Sequence, residues 1–236
     1  MTELLSLSTL VVCFISILIA VRFFGREGLY AYSTVAVIIS NIQVLKLTKY
    51  TLIDDPVALG TVVFSTTFAV DNILNEYFGE NSAKKGVWIS FFGYLLFVVA
   101  MKIALLHPEI SSSECVNMHN EMKMLFSPTI VLFVSSLLSF VVSQFADIFI
   151  FSTLKKIFKN RSVSCRSLIS MALSTFVDNC VFSLLAWVVL AENPISLSSL
   201  WTTYIFVTYF IRLIVAALCV PLVRLSGVFV KADNVQ

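Results

Sequence analysis

Apolar residues fill seven long stretches of the chain, and short polar segments separate them. A helix needs about 20 mostly apolar residues to cross the hydrocarbon core of a bilayer. The stretches run over Leu4–Phe24, Leu29–Leu47, Leu59–Phe78, Val87–Leu106, Thr129–Phe151, Leu168–Leu190 and Leu200–Leu222. The pattern predicts an all-α integral membrane protein, a polytopic bundle of about seven transmembrane helices forming a single domain over residues 1–236.

The composition excludes several classes of protein. Hydrophobic residues make up 58% of the chain and charged residues 13%, whereas a soluble domain is about 45–50% apolar and about 25% charged. So few charges cannot coat a soluble enzyme, and the apolar excess argues against a disordered tail. The net charge of +2 gives little attraction for a polyanion. The lipid bilayer is therefore the expected partner, and nucleic acid is not.

Basic residues concentrate in alternate connections between the predicted helices. One set comprises Arg22, Arg26, Lys84, Lys85, Lys155, Lys156, Lys159, Arg161, Arg166, Arg224 and Lys231, whereas the other connections and helix ends hold only Lys46, Lys49, Lys102 and Lys123. By the positive-inside rule the richer side is cytoplasmic. We therefore expect a multi-pass protein of the cytoplasmic (inner) membrane, with its N-terminus outside and its C-terminus inside. The first stretch lacks the basic segment and the cleavage site of a secretory signal, so we expect a retained helix.

Several polar residues fall inside the predicted spans. A charge at the centre of a spanning helix costs about 2.5–3.5 kcal/mol on insertion scales, so it usually has a task. The candidates for substrate binding are Asn41, Asp71, Asn75, Glu76, Gln144, Asp147, Asp178 and Arg212. The structural alternative is that these groups hold helices together and that Arg212 neutralises one aspartate. Three aspartates against one arginine still leave negative charge that must be protonated, face water or meet a ligand.

Each intramembrane aspartate follows a hydroxyl residue by four positions, at Thr67, Ser143 and Ser174. A hydroxyl there can donate to the carboxylate of its own helix, or bond back to its own backbone. Two of these stretches resemble each other, Ser143-Gln-Phe-Ala-Asp147 and Ser174-Thr-Phe-Val-Asp178. Transporters often contain weak repeats of this kind, and chance similarity between apolar helices is the alternative.

No complete catalytic or metal-binding constellation is present in the sequence. His107 and His119 are the only histidines, both in the connection after Leu106, and neither HExxH nor GxSxG occurs. An intramembrane aspartyl protease uses two aspartates that share a proton, and the chain has intramembrane aspartates, but the glycine pattern of such enzymes is missing. We therefore predict no enzyme, no metal and no cofactor. Carboxylates and amides among phenylalanines favour a pocket for a neutral or cationic small molecule rich in N–H donors.

One segment carries a recognisable motif. It reads Gly60-Thr61, Phe64, Thr67-x-x-x-Asp71-x-x-x-Asn75-Glu76-Tyr77-Phe78-Gly79 and Ala83. This pattern resembles the signature helix of the queuosine precursor transporters, also called the vitamin uptake transporter (VUT) family. Further matches follow in order: Asn41 and Lys46, Gln144-x-x-Asp147-x-Phe149-x-Phe151, Arg166 with Ser174-Thr175, Asp178 and Phe182, and Tyr209-x-x-Arg212 with Pro221. The resemblance covers residues 41–221.

The sequence departs from the family pattern at two positions. Arg212 stands where the family usually has a lysine, so a role in proton release is in doubt because a guanidinium does not lose its proton. Ser65 stands where a proline is common. Some relatives have six helices, so the first helix is expected to be an addition to the six-helix core.

The resemblance implies uptake of a 7-deazaguanine base such as preQ0 (the nitrile), preQ1 (the aminomethyl form) or queuine, which are purine-like small molecules. From the chemistry of such a base we expect Asp71 or Asp178 to accept from the guanine edge, Gln144 or Asn75 to contact the O6 side, and phenylalanines or Tyr77 to stack on the ring. We favour a secondary carrier. The alternative is the substrate-binding subunit of an ATP-driven vitamin uptake complex, since the chain has no GxxxxGK[ST] phosphate loop. The coupling ion, proton or sodium, and assembly into a homo-oligomer stay open.

Overall fold

The computed structural model describes most of the chain. The described residues are 1–51, 53–108, 110, 112–126, 130–159, 161–191 and 193–230. Two positions used in the sequence analysis lie outside them. These are Thr129, the predicted start of the fifth span, and Lys231 of the basic C-terminal segment.

Helices make up nearly all of the described structure. In chain order the elements are α1 (Thr2–Gln43), β1 (Leu47–Tyr50), β2 (Ile53–Ala58), α2 (Gly60–Ile73), α3 (Glu80–Leu106), α4 (Ser113–Phe126), α5 (Ile130–Ile157), α6 (Val163–Leu184), α7 (Leu197–Ser199) and α8 (Phe206–Phe229). Three π-helical turns extend them, at Leu74–Phe78 after α2, Leu185–Val189 after α6 and Leu200–Ile205 before α8. Five of the described helical segments are long and apolar enough to cross a membrane, which confirms a helical membrane protein.

Helix α1 consists of two arms. Its 42 residues would extend about 63 Å at 1.5 Å per residue, twice the thickness of a bilayer core. The helix breaks at Gly25, where φ is 59° and ψ is −136°, a conformation that glycine adopts without steric cost. A Cβ on Gly28 would lie 2.5 Å from the carbonyl oxygen of Ala20, so the second arm folds back against the first. The arms correspond to the first two predicted spans, and the total of seven stays a prediction.

Helix α2 lies at the centre of the bundle. Every residue from Gly60 to Ile73 is buried except Phe64, which is partly buried. The helix and its π-helical turn cover the third predicted span. Ser65 introduces no break, because it keeps the backbone N–H that a proline lacks, and its hydroxyl bonds back to the Thr61 carbonyl at 2.8 Å. A central helix that carries Asp71 holds this carboxylate away from lipid.

Two segments differ from their predicted structure. The second arm of α1 ends at Gln43, and the predicted end of that span at Leu47 is instead the first residue of an antiparallel hairpin of β1 and β2. The hairpin contacts the start of α1, where the Thr51 amide donates to Glu3 at 2.6 Å. The polar segment after Leu106 was expected to be a loop, but it contains helix α4, with Glu114 in its first turn and Lys123 in its last. Both charges complement the helix dipole.

The basic connections meet at one end of the bundle. Three contacts join them: Lys85 with the ring of Tyr30 (6.0 Å), Lys155 with Glu76 (3.1 Å), and the Tyr77 hydroxyl with the Val223 carbonyl (3.1 Å). The positive-inside argument places these same connections on one side of the membrane. Their orientation toward the cytoplasm stays a prediction.

Candidate functional site

Helices α2 and α5 run side by side in one register. The Gln144 amide donates to the Thr67 hydroxyl at 2.6 Å, and the Asn75 amide donates to the Ser152 hydroxyl at 2.9 Å, with a separation of 77 residues in both pairs. A constant separation means that the two helices are parallel at this contact. Asp71 lies one turn after Thr67 and one turn before Asn75. It is therefore level with the part of α5 that carries Asp147.

Three buried acceptors lie in this region, and we call Asp71, Gln144 and Asp147 the acceptor cluster. Their exposed fractions are 2%, 1% and 0%, respectively. The two carboxyl groups are close enough to interact electrostatically. Oδ2 of Asp71, Oδ2 of Asp147 and Oε1 of Gln144 are buried and receive no hydrogen bond from the described residues. Buried acceptors without donors are costly, so the cluster is suited to a ligand that brings N–H groups.

Helices α5 and α6 exchange hydrogen bonds between their aspartates and serines. Ser174 of α6 donates to Asp147 of α5 at 3.0 Å, and Ser143 of α5 donates to Asp178 of α6 at 3.1 Å. One of the two alternatives was a hydrogen bond from each serine to the aspartate of its own helix, and this alternative is wrong. Because the two helices are antiparallel neighbours, each serine reaches the carboxylate of the other helix.

The second alternative, bonding back to the helix backbone, is confirmed. Ser143 donates to the Phe140 carbonyl at 3.2 Å and Ser174 donates to the Ser170 carbonyl at 2.6 Å. Thr67 likewise donates to the Phe64 carbonyl at 2.7 Å while it accepts from Gln144. Each serine has a single O–H, which is therefore shared between a carbonyl of its own helix and the carboxylate of the other helix.

Asp178 has a different set of partners from Asp147. Arg212 of α8 donates through Nη1 to Oδ2 of Asp178. Ser139 and Ser143 donate to Oδ1, at 2.5 and 3.1 Å. The Arg212 guanidinium also lies 5.3 Å from the centre of the Phe64 ring, within cation–π range. Both oxygens of Asp178 therefore have donors, and its charge is neutralised within the protein.

Glu76 belongs to a third group, at the basic end of the bundle. Arg166, which is fully buried, and Lys155 each lie 3.1 Å from a Glu76 oxygen. The Arg166 guanidinium also stacks over Phe151, with 5.2 Å to the ring centre. One carboxylate contacts two cations here, so the group has a net positive charge, and both cations are paired with Glu76.

The amides predicted at the site have protein partners. The Asn75 amide contacts the Ile148 carbonyl at 3.2 Å, in addition to Ser152. The Asn41 amide donates to the Val37 carbonyl at 2.9 Å, and its oxygen accepts from Ser136 at 2.8 Å. These bonds connect helices, so both side chains are held in fixed orientations.

The eight candidate residues thus separate into distinct groups. Asp71, Gln144 and Asp147 lie together, Asp178 and Arg212 form an ion pair, and Asn75, Glu76 and Asn41 contact other partners. Sequence reasoning missed Ser139, although its position four residues before Ser143 was a usable signal. The pairing of Arg166 and Lys155 with Glu76 was also missed, because it depends on segments distant in the sequence.

An aromatic group adjoins the acceptor cluster. Phe64 lies 5.7 Å from Phe68 and 6.3 Å from Phe140, measured between ring centres. Phe68 precedes Asp71 by three residues and Phe140 precedes Gln144 by four, so both lie about one helical turn from the cluster. The acceptors therefore have flat apolar neighbours.

Comparison with known proteins gives two matches. Residues 58–226 match the protein family described as "Putative vitamin uptake transporter". A protein of Bacillus subtilis (strain 168) named "Probable queuosine precursor transporter" is 30% identical over 212 residues, which cover 89% of this chain and 88% of that protein. No solved structure matches the chain.

Proposed function

The chain belongs to the vitamin uptake transporter family, and on this premise we propose that it imports a queuosine precursor, a 7-deazaguanine base. The family and the Bacillus relative are transporters and not enzymes, and this chain is a multi-pass transporter of the cytoplasmic membrane. The proposal extends this role to one class of substrate.

The observation that carries the proposal is the acceptor cluster. The edge of a 7-deazaguanine presents an N1–H and an exocyclic amine, so it brings donors to acceptors that have none. Asp71 supplies the carboxylate for this edge, and Gln144 lies about one turn along the neighbouring helix. A carboxylate that receives two parallel N–H bonds is a strong and directional partner.

Asp178 is less suited to the base than Asp71. Both of its oxygens already accept hydrogen bonds, from Arg212 on one side and from Ser139 and Ser143 on the other. A base would have to displace a buried arginine to reach it, and breaking a buried ion pair is costly. The proposal therefore selects Asp71 from the two aspartates that the resemblance suggested.

Aromatic rings next to the cluster suit a flat base. Phe64 forms edge-on contacts with Phe68 and Phe140, and a planar heterocycle favours such neighbours. Tyr77 is less suited to stacking because its hydroxyl is bonded to Val223 at the basic end. Binding between apolar rings and a few placed polar groups is the usual arrangement of a small-molecule site.

We favour a secondary carrier that works without an ATPase. Uncompensated carboxylates at membrane depth are the usual coupling groups of ion-driven carriers. Purified protein in liposomes is therefore expected to accumulate labelled base under an ion gradient without ATP. Uptake that requires an added ATPase would instead identify the chain as the substrate-binding subunit of a pump.

The orientation is proposed from the basic connections. Cys115 in α4 and Cys165 near the start of α6 are both free and at least partly exposed. With the N-terminus outside, a membrane-impermeant thiol reagent labels Cys115 in intact cells and labels Cys165 only after lysis. The reverse pattern would overturn this orientation.

The substrate itself is tested in a host that cannot synthesise queuosine precursors. Cells expressing the chain are supplied with one base at a time, and the queuosine content of their tRNA is measured along with uptake of the labelled base. Entry of at least one 7-deazaguanine above the vector control supports the proposal. Entry of none, with the protein present in the membrane, would contradict it.

A further inference from the structure

We propose that the acceptor cluster selects bases whose C7 substituent carries a protonated amine over the uncharged nitrile. The inference rests on the proposed function and adds a second contact, an ammonium site at Asp147. It follows from three features: the charges near the cluster, the Asp147 oxygen that receives no hydrogen bond from the described residues, and the shared register of α2 and α5.

The charges near the cluster do not balance within the described part of the chain. Asp71 and Asp147 contribute two carboxyl groups that interact with each other. None of the ion pairs among the described residues involves either carboxylate, since Arg212 pairs with Asp178 while Arg166 and Lys155 pair with Glu76. Positive charge at the cluster must therefore come from a bound cation or from protons.

The oxygens of Asp147 fit an ammonium better than a guanine edge. One of them, Oδ1, already accepts from Ser174 at 3.0 Å. The other, Oδ2, is buried and receives no hydrogen bond from the described residues. A guanine edge needs two acceptors side by side, whereas an ammonium needs one strong acceptor at a time. Asp71 then takes the edge and Asp147 takes the amine.

The two carboxylates are placed so that one molecule can meet both. The Thr67–Gln144 and Asn75–Ser152 hydrogen bonds hold α2 and α5 together on either side of them, in the same register. Asp71 and Asp147 thus lie at about the same level of the two helices, between two fixed contacts. A 7-aminomethyl group lies on the opposite side of the ring system from the guanine edge, so a bound base reaches from one carboxylate toward the other.

The nitrile cannot make the second contact. It carries no N–H and no charge, so it leaves Oδ2 of Asp147 without a donor. Charge-assisted hydrogen bonds are stronger than neutral ones, and this contact is expected to change relative uptake by about tenfold. The expected order is therefore a cationic base, either the primary amine or queuine, ahead of the nitrile.

Separate measurements of the uptake of each base test this order of substrates. Cells that cannot make the precursors express the full chain and take up each labelled base at equal concentration, near neutral pH where the amines are protonated. At least one cationic base is expected to enter about tenfold faster than the nitrile. Equal or faster entry of the nitrile would overturn the inference and indicate that protons balance the cluster.

Two variants locate the effect. Asp147→Asn is expected to reduce the ratio of cationic to nitrile uptake by about tenfold. The matched control is the Asp178→Asn/Arg212→Met double variant, which changes the corresponding aspartate of α6 and is expected to keep the ratio of the parent protein. An unchanged ratio in Asp147→Asn would contradict the ammonium site. If Asp147→Asn does not reach the membrane, the selectivity of the parent protein still decides.

Failure of the inference can be told apart from failure of the proposed function. Entry of all three bases at similar rates overturns the inference alone. Entry of none of them above the vector control overturns the proposed function as well.

Discussion

Helices α5 and α6 present the same Ser-x-x-x-Asp chemistry twice, with different outcomes. The same offset along the chain separates Ser139 from Ser170, Ser143 from Ser174 and Asp147 from Asp178. Each aspartate accepts from a serine of the other helix. Only Asp178 has a cation partner among the described residues, because α8 places Arg212 against it.

The comparison shows that the local motif does not decide the role of each aspartate. The residue that approaches from a third helix decides it: Arg212 of α8 for Asp178, and Asp71 of α2 for Asp147. Arg212 contacts the second oxygen of Asp178, so this ion pair has no net charge and connects α5, α6 and α8. Asp147 faces Asp71 of α2, and an acidic neighbour leaves its second oxygen without a donor. One copy of the motif therefore stabilises the bundle, and the other is available to a ligand.

The largest expected effect comes from breaking the Asp178–Arg212 ion pair. Arg212→Met leaves Asp178 buried without its cation partner, which is expected to lower the free energy of unfolding by about 3–5 kcal/mol. Thermal unfolding of purified protein in detergent measures this loss.

Two controls separate the lost charge pair from lost packing. Arg212→Lys keeps the cation, so it is expected to retain most of the stability. In the Asp178→Asn/Arg212→Met double variant no charge is left unpaired, and most of the loss is expected to be recovered. A double variant as unstable as Arg212→Met would show that the loss of stability does not come from the unpaired charge.

The next effect concerns the acceptor cluster. Asp71→Asn replaces one acceptor oxygen by a donor and removes the charge, so uptake of every 7-deazaguanine is expected to fall by about 100-fold while membrane insertion is retained. Labelled-base uptake, normalised to the amount of protein in the membrane, measures the change. Ser65→Ala is the matched control, since Ser65 is equally buried on α2 but bonds only to its own helix. Normal uptake by Asp71→Asn would remove Asp71 from the site.

The smallest effect distinguishes the two serines of the repeated motif. Ser174→Ala removes a hydroxyl donor from Asp147, whereas Ser143→Ala leaves Asp178 with Ser139 and Arg212. A neutral hydrogen bond contributes about 1 kcal/mol, so Ser174→Ala is expected to change base uptake by about fivefold and Ser143→Ala by less than about twofold. Equal effects would contradict the difference between the two aspartates.

Much of the fold is visible in the sequence because the bilayer imposes a length on each helix. The apolar stretches predict the helices, and the break in α1 falls at Gly25, between the first two predicted spans. The hairpin at Leu47–Ala58 and helix α4 were missed. Both lie in polar connections, where span length gives no constraint and local contacts decide the structure.

Five of the eight candidate residues are buried and three are partly buried, but the sequence did not predict their partners. Ser143 and Ser174 each had a carboxylate four residues away on the same helix, and the sequence alone does not weigh that bond against one to a neighbouring helix. Which aspartate meets Arg212 depends on how α8 packs against α6, and no local pattern encodes that packing. The equal offset of the two motifs was the only signal of the exchange between α5 and α6.

Binding of the base to purified protein tests the central claim most directly, because thermal stabilisation by a ligand does not depend on transport. At about 100 times its dissociation constant, a ligand stabilises a protein by about 2.7 kcal/mol. The account predicts this stabilisation by a cationic 7-deazaguanine for the parent protein and for the Asp178→Asn/Arg212→Met double variant, and none for Asp71→Asn. Stabilisation of Asp71→Asn equal to that of the parent, with none in the double variant, would contradict it and move the site to Asp178.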